Sequence, residues 1–351
     1  MSSDRWAVLR GDPIPWLLEA DNPSVRAFTL TDILDRPADD PEVIAAREAI
    51  MHSRPVQEIL AAQYPAGYWI KPDVGYSPRY RATIWQVMFL ADLGATCTEP
   101  IARACEHVLA HTYLSDVGLF SAHKQATGTF PCLNGNLLRA LWHFGYGAHP
   151  VVQQVAETLA RKVVEERFCC RCEAMERGEG RLPCAWGCIK VLRGFAVIPY
   201  GIRSPAIETA IAQGVDFLLG HDLVRADYPY AQEIGDLWWR FGFPLGYAAD
   251  ALEALEGLAA HGAADDPRLV PVFERVVEKQ DSRGRWLLET TLERTWTKFE
   301  EVGQPSKWVT LRALRVLSRV VQLSPSLRPS PLEEREPTPL DGRRFSGFIG
   351  R

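Results

Sequence analysis

The chain has 351 residues, 47% hydrophobic and 24% charged, which are ordinary values for a globular protein. Lys and Arg number 39 against 44 Asp and Glu; a net charge of −5 argues against nucleic acid as the main partner, since phosphate-binding domains carry a basic excess. Eleven Trp are many for this length, and eight Cys are too few for a disulfide scaffold, five of them falling between 169 and 188. The first residues, Met1-Ser2-Ser3-Asp4-Arg5-Trp6, carry no basic segment followed by an apolar run. No uninterrupted apolar stretch of about 18 residues occurs, so no transmembrane segment is expected. The default compartment is the cytoplasm, where a Cys cluster points to metal binding or reactivity rather than to disulfides.

In chain order, the first periodic segment is 22–35, with Val25, Phe28, Leu30, Ile33 and Leu34 marking one helix. Then the chain repeats. Pro78 leads into an apolar helix over 79–94, Pro131 into 132–147, Pro183 into 184–197, Pro244 into 245–262 and Pro305 into 306–321. Aligned on an LRAL-like core, the five share the anchors Trp85, Leu138, Ile189, Leu252 and Leu311, spaced 53, 51, 63 and 59 residues apart. A second, amphipathic helix precedes each, over 41–63, 100–113, 150–167, 204–221 and 266–279. Within 101–112, Ile101, Cys105, Val108 and Thr112 form the buried stripe, and Arg103, His107 and His111 fall on the solvated face. The pattern predicts an all-α protein with an outer ring of amphipathic helices around an inner, more apolar ring. A helical extension over 1–40 precedes this body (41–321), and a Pro-rich flexible tail over 322–351 follows it.

Turns of one kind join outer to inner helices. Gln280-Asp281-Ser282-Arg283-Gly284-Arg285-Trp286 is a complete Q-x-x-x-G-x-W, Gln63-Tyr64-Pro65-Ala66-Gly67-Tyr68-Trp69 is a second, and Ser115-Asp116-Val117-Gly118-Leu119-Phe120 is a weaker third. In such a turn Gln ends one helix and bonds the next, Gly makes the tight bend, and the ring staples neighbouring repeats. This resembles the QW repeat of the squalene/hopene cyclase and protein prenyltransferase β-subunit superfamily, over residues 40–320. The resemblance implies an α/α toroid of five to six helix pairs and an apolar lumen that holds an isoprenoid or similar substrate. It supplies no catalytic acid, because D-x-D-D and D-D-x-x-D are both absent.

The cysteines form the best-localised constellation. Cys169, Cys170 and Cys172 follow the third outer helix, and Cys184 and Cys188 open the third inner helix on one face. Cys132 opens the preceding inner helix one repeat earlier. Thiolates at helix N-termini suit zinc, with Cys132, Cys172, Cys184 and Cys188 as preferred ligands and Cys170 as substitute. Buried reduced thiols and a redox pair are the competing readings. The zinc of the resembling prenyltransferases uses Asp, Cys and His, a combination without a match here.

Asp250 sits near the start of an apolar inner helix, where a buried carboxylate is either a general acid or base or is held by the helix dipole or an Arg. Glu300 and Glu301 stand in a similar place at a lumen mouth, and Lys307 is expected to pair with one of them. Aromatic residues gather where inner helices begin; Tyr80, Trp85, Trp186, Trp239, Tyr247 and Trp308, with Lys307, are the candidate substrate-binding set, set against inter-repeat packing. Arg79 and Arg81 could receive an anionic head group. His143 reads as a hydrogen-bonded core residue. The leading expectation is an enzyme with an isoprenoid or other apolar substrate in the lumen. A non-catalytic toroid with structural zinc and a partner protein, or zinc-assisted thiol chemistry, stands beside it.

Overall fold

The computed structural model describes residues 6–170, 176–177, 180–229 and 235–320; Cys172 and the tail over 322–351 lie outside the described residues. The protein is mostly helical. Among the described residues, strands are confined to two short antiparallel hairpins, β1 (Tyr113–Leu114) with β2 (Leu119–Phe120) and β3 (Glu176–Arg177) with β4 (Gly180–Arg181).

The N-terminal helices are α1 (Ile14–Leu17), α2 (Pro23–Phe28), which continues as a π-helical turn over Thr29–Ile33, α3 (Pro41–Ile50) and α4 (Arg54–Ala61). The expected single helix over 41–63 is thus two. The break falls at Ser53, whose extended backbone caps α4, and Pro55 starts the new helix because it lacks the N–H that a continuous helix would need.

Five buried helices follow, α5 (Thr83–Asp92), α7 (Pro131–His143), α9 (Ala185–Ala196), α12 (Ala251–Ala260) and α14 (Lys307–Val320). Between them run α6 (Glu99–Thr112), α8 (Pro150–Glu165), α10 (Pro205–Leu219), the short α11 (Gly235–Trp238) and α13 (Val270–Glu278). All five aligned anchors, Trp85, Leu138, Ile189, Leu252 and Leu311, are fully buried. Two of these helices start later than the Pro signal suggests. α5 begins at Thr83, and α12 begins after Asp250, whose carboxylate accepts from Glu253 N at 2.8 Å and so sets the helix start.

The buried helices pack in sequence, α5 on α7, α7 on α9, α9 on α12 and α12 on α14. The tightest pair is α7 with α9. Gly135 and Gly194 face each other there, and a Cβ on either would strike the opposite backbone. α14 then packs on α1, α2 and the π-helical turn, so residues 14–33 share the central core rather than forming a layer apart. α6, α8 and α10 cover α5, α7 and α9.

Both complete Q-x-x-x-G-x-W turns are built alike. Trp69 Nε1 donates to Ile59 O at 2.8 Å and Trp286 Nε1 to Val276 O at 2.7 Å, each closing onto the helix just ended. The Trp backbone N–H goes to a Thr on the next buried helix, Thr83 or Thr310. Gly67 and Gly284 have φ of 88° and 72°, in the left-handed region that favours Gly. The Gln side chains differ. Gln63 Nε2 donates to Pro100 O at the start of α6, whereas Gln280 donates to Val8 O and accepts from Arg10 N. The N-terminal segment therefore takes the place beside the last turn that α6 takes beside the first.

Candidate functional site

Two regions between the buried helices carry chemistry. The first lies where α5, α7 and α12 begin. Tyr80, Trp85 and Tyr247, expected from the sequence, come together here with Tyr76. Tyr80 meets Trp85 edge-on at 4.9 Å between ring centroids, Tyr247 lies 5.1 Å from Trp85, and Tyr76 lies 5.6 Å from Trp85 and 6.2 Å from Tyr247. Trp85 is fixed by its Nε1, which donates to Tyr76 O at 2.8 Å. The Arg79 guanidinium lies 5.8 Å from the Tyr76 ring centre. Burial pushes the Tyr76 and Tyr247 phenols up, so both stay protonated.

One buried polar atom in this region, Gln86 Oε1, has no hydrogen-bond partner among the described residues, and the Tyr247 hydroxyl has the Tyr76 phenol beside it. The Gln86 amide nitrogen donates to Tyr80 O at 3.0 Å, which holds the side chain beside the rings. Buried polar atoms are nearly always paired, and leaving one unpaired costs about 1–3 kcal/mol.

The second region occupies the middles of α9, α12 and α14. Asp250 is bound by Arg312 through two nitrogens, at 2.7 and 2.8 Å, and also accepts from Gly242 N and Glu253 N. Lys190 meets Glu253 at 2.5 Å, Arg193 meets Glu253 at 2.8 Å and Glu256 at 3.1 Å, and Arg312 reaches Glu256 at 3.4 Å. Burial pushes the Glu253 carboxyl up, but Lys190, Arg193 and Arg312 outweigh it and bring it down to about 2. Asp92 on α5 pairs with Arg139 on α7, and Asp32 pairs with Arg315.

The structure disposes of several sequence candidates. Both Asp250 oxygens are occupied by donors, so the carboxylate is a capping and pairing group out of a substrate's reach. Glu300 accepts from Lys307 N at 2.9 Å and from the Ser306 hydroxyl, which caps α14; burial pushes its carboxyl up. Glu301 is exposed and pairs with Lys298. Lys307 pairs with Glu19 and Asp21 rather than with Glu300 or Glu301 carboxylates, and so ties α14 to the N-terminal segment. Trp308 stacks on Phe243 at 3.9 Å, and Trp239 packs under Arg275 and donates to Val224 O. Arg81 lies over Trp296 at 3.8 Å. His107, expected on a solvated face, is buried: its Nε2 lies 2.9 Å from Asp73 O and its ring stacks on His111 at 4.2 Å. The loop over 70–75 covers that side of α6. His143 bonds Ala95 O at 2.9 Å.

The thiols divide. Cys170 and Cys184 pack together with Leu182 and Trp186. Cys184 Sγ accepts from Gly187 N at 3.2 Å and caps α9. Cys188 is turned toward α10, with Sγ 3.5 Å from Gly214 O. Cys132 is close enough to Tyr76 and Tyr247 to affect their titration. The set of Cys132, Cys170, Cys184 and Cys188 therefore does not fit one tetrahedral site. Among the described residues, no three His, Cys, Asp or Glu side chains are placed to hold a metal ion.

The chain matches no protein-family model and no curated protein. No described helix is long and apolar enough to cross a membrane.

The sequence reading missed the ionic residues, although its own alignment contained them. The position after each anchor is polar in all five repeats: Gln86, Arg139, Lys190, Glu253 and Arg312. Four of these five are among the buried polar residues. A polar residue recurring inside apolar helices is the signal of a facing polar interior.

Proposed function

We propose that the chain is an α/α toroid, closed by residues 8–33 lying between its last and first repeats, and that it is an enzyme binding an isoprenoid or similar apolar substrate. The binding end is the aromatic one, formed by Tyr76, Tyr80, Trp85 and Tyr247. One observation carries this reading: four rings from two distant stretches of chain gather beside Gln86, whose side-chain oxygen is buried with no partner among the described residues. The rings offer an apolar, π-rich wall, the phenol offers one donor and the amide one acceptor, which is the usual make-up of a small-molecule site. Asp250, Glu300 and Glu301 take no part in it.

Zinc enters this proposal only at the pair Cys170 and Cys184, which pack together; elemental analysis of purified protein should then find one zinc per chain, and its absence would remove the metal. A second reading, a non-catalytic toroid with a protein partner, draws on Tyr200 and Ile202, which are 80% and 64% exposed side by side on one turn. Fluorescence titration with geranylgeraniol, farnesyl diphosphate and squalene decides between them. The enzyme reading expects saturable quenching by at least one compound, lost in Trp85→Leu. Flat titrations with all three would overturn it and leave the scaffold.

A further inference from the structure

A chamber of about 490 Å³ opens beside the C-terminal ends of α7, α9, α12 and α14, away from the aromatic site, and shares Arg139, His143, Arg193, Glu256 and Arg315 with a neighbouring cavity of about 200 Å³. The chamber is lined by four guanidinium groups, Arg139, Arg193, Arg315 and Arg319, against two carboxylates, Asp32 and Glu256. We propose that this chamber binds a small oxyanion, a carboxylate or phosphate group, at Arg139, Arg193 and Arg315.

The hydrogen-bond inventory sets the sign of the ligand. Arg193 spends one nitrogen, Nη1, on Glu253 and Glu256. Arg139 spends only Nη2, on Asp92, and Arg315 spends Nε and Nη2 on Asp32. Arg139 Nη1, Arg193 Nη2 and Arg315 Nη1 take no part in these pairs, so each of the three arginines has a donor to spare. The two carboxylates are engaged. Glu256 takes Arg312 on one oxygen and Arg193 on the other, and Asp32 takes Arg315 on one oxygen and the Thr31 hydroxyl on the other. Spare donors beside engaged carboxylates favour an acceptor ligand, and guanidinium forks match the geometry of carboxylate and phosphate. The carbonyl ends of α9 and α12 oppose an anion, but only with partial charge. One of those carbonyls, Ala259 O, is already bonded to Arg319. The spare guanidinium donors and the charge of Arg319, which meets no carboxylate among the described residues, act against them.

Trp142 lines the chamber and gives the readout. The test is a fluorescence titration of the full chain with phosphate, diphosphate and succinate at constant ionic strength. Saturable binding by about 10 mM of at least one is expected, with Arg315→Gln weakening it about tenfold, the worth of one charge-assisted hydrogen bond. Arg225→Gln, at a guanidinium on an exposed turn, should bind as the parent does. Binding of succinate alone assigns a carboxylate, and of the phosphates alone a phosphoryl group; either supports the site. No saturable change with any of the three, or equal affinity in the parent and Arg315→Gln, overturns it. If Arg315→Gln does not fold, Arg139→Gln replaces it with the same expectation. The outcome is independent of whether the aromatic end binds an isoprenoid.

Discussion

Asp250 and Tyr247 stand three residues apart and face opposite surroundings. The Asp250 carboxylate takes four donors, from Gly242, Glu253 and Arg312, whereas the Tyr247 hydroxyl has the Tyr76 phenol alone beside it among the described residues. The ionic middle of the buried helices thus has its charges matched pair by pair, and the aromatic end keeps Gln86 Oε1 unmatched among the described residues. A buried network in which every charge is paired is architecture, because removing one member strands the others. Unmatched buried atoms lower stability and persist where something else uses them. That contrast, more than ring count, separates the candidate site from its support.

The sharpest way to break the contrast is Arg312→Met. It strands Asp250 and Glu256 in a buried setting and should cost about 3–5 kcal/mol, read from urea unfolding. A loss under about 1 kcal/mol would mean that the network is not structural. Acid tests the same region without mutation. The folded Glu253 carboxyl lies near 2 against an ordinary value of 4.5, so its contribution is full above 4.5 and is lost as pH falls toward 2. Thermal melts across that window should show the decline, smaller in Arg312→Met, where one of the charges holding Glu253 down is gone. At the aromatic end the expected effect is smaller. Tyr247→Phe deletes a hydroxyl whose neighbour is the Tyr76 phenol and should cost no more than about 1 kcal/mol, while weakening any ligand that the wild type binds. A loss of about 3 kcal/mol or more would tie the hydroxyl into a network like that of Asp250 and would remove the contrast. Glu301→Ala should be the quietest change, within about 0.5 kcal/mol, since its pair with Lys298 is exposed.

How much of this was legible depended on the range of the interactions. The repeat, its anchors and the Trp staples are written in local spacing, and Trp85, Leu138, Ile189, Leu252 and Leu311 are all buried as the periodicity required. Tyr80, Trp85 and Tyr247 were legible as candidates because aromatic residues cluster at helix starts; Gln86 was not, because its importance lies in a missing partner. Lys307 shows the limit most plainly. Glu300 and Glu301 are the near carboxylates in sequence, yet its charge goes to Glu19 and Asp21, almost 290 residues away. Helix periodicity also assigned His107 to the solvated face, because it registers only the helix itself and not the loop over 70–75 that covers it.

The bond from Gln280 to Val8 and Arg10 has a consequence for how the chain is made. Its partners are about 270 residues apart, so this contact adds heavily to contact order and is closed only after a long loop has been ordered. During synthesis residues 6–10 must wait for nearly the whole chain to emerge before they find their seat. Amide protection of that segment in nascent chains of increasing length should therefore appear abruptly, and only once Gln280 has left the ribosome.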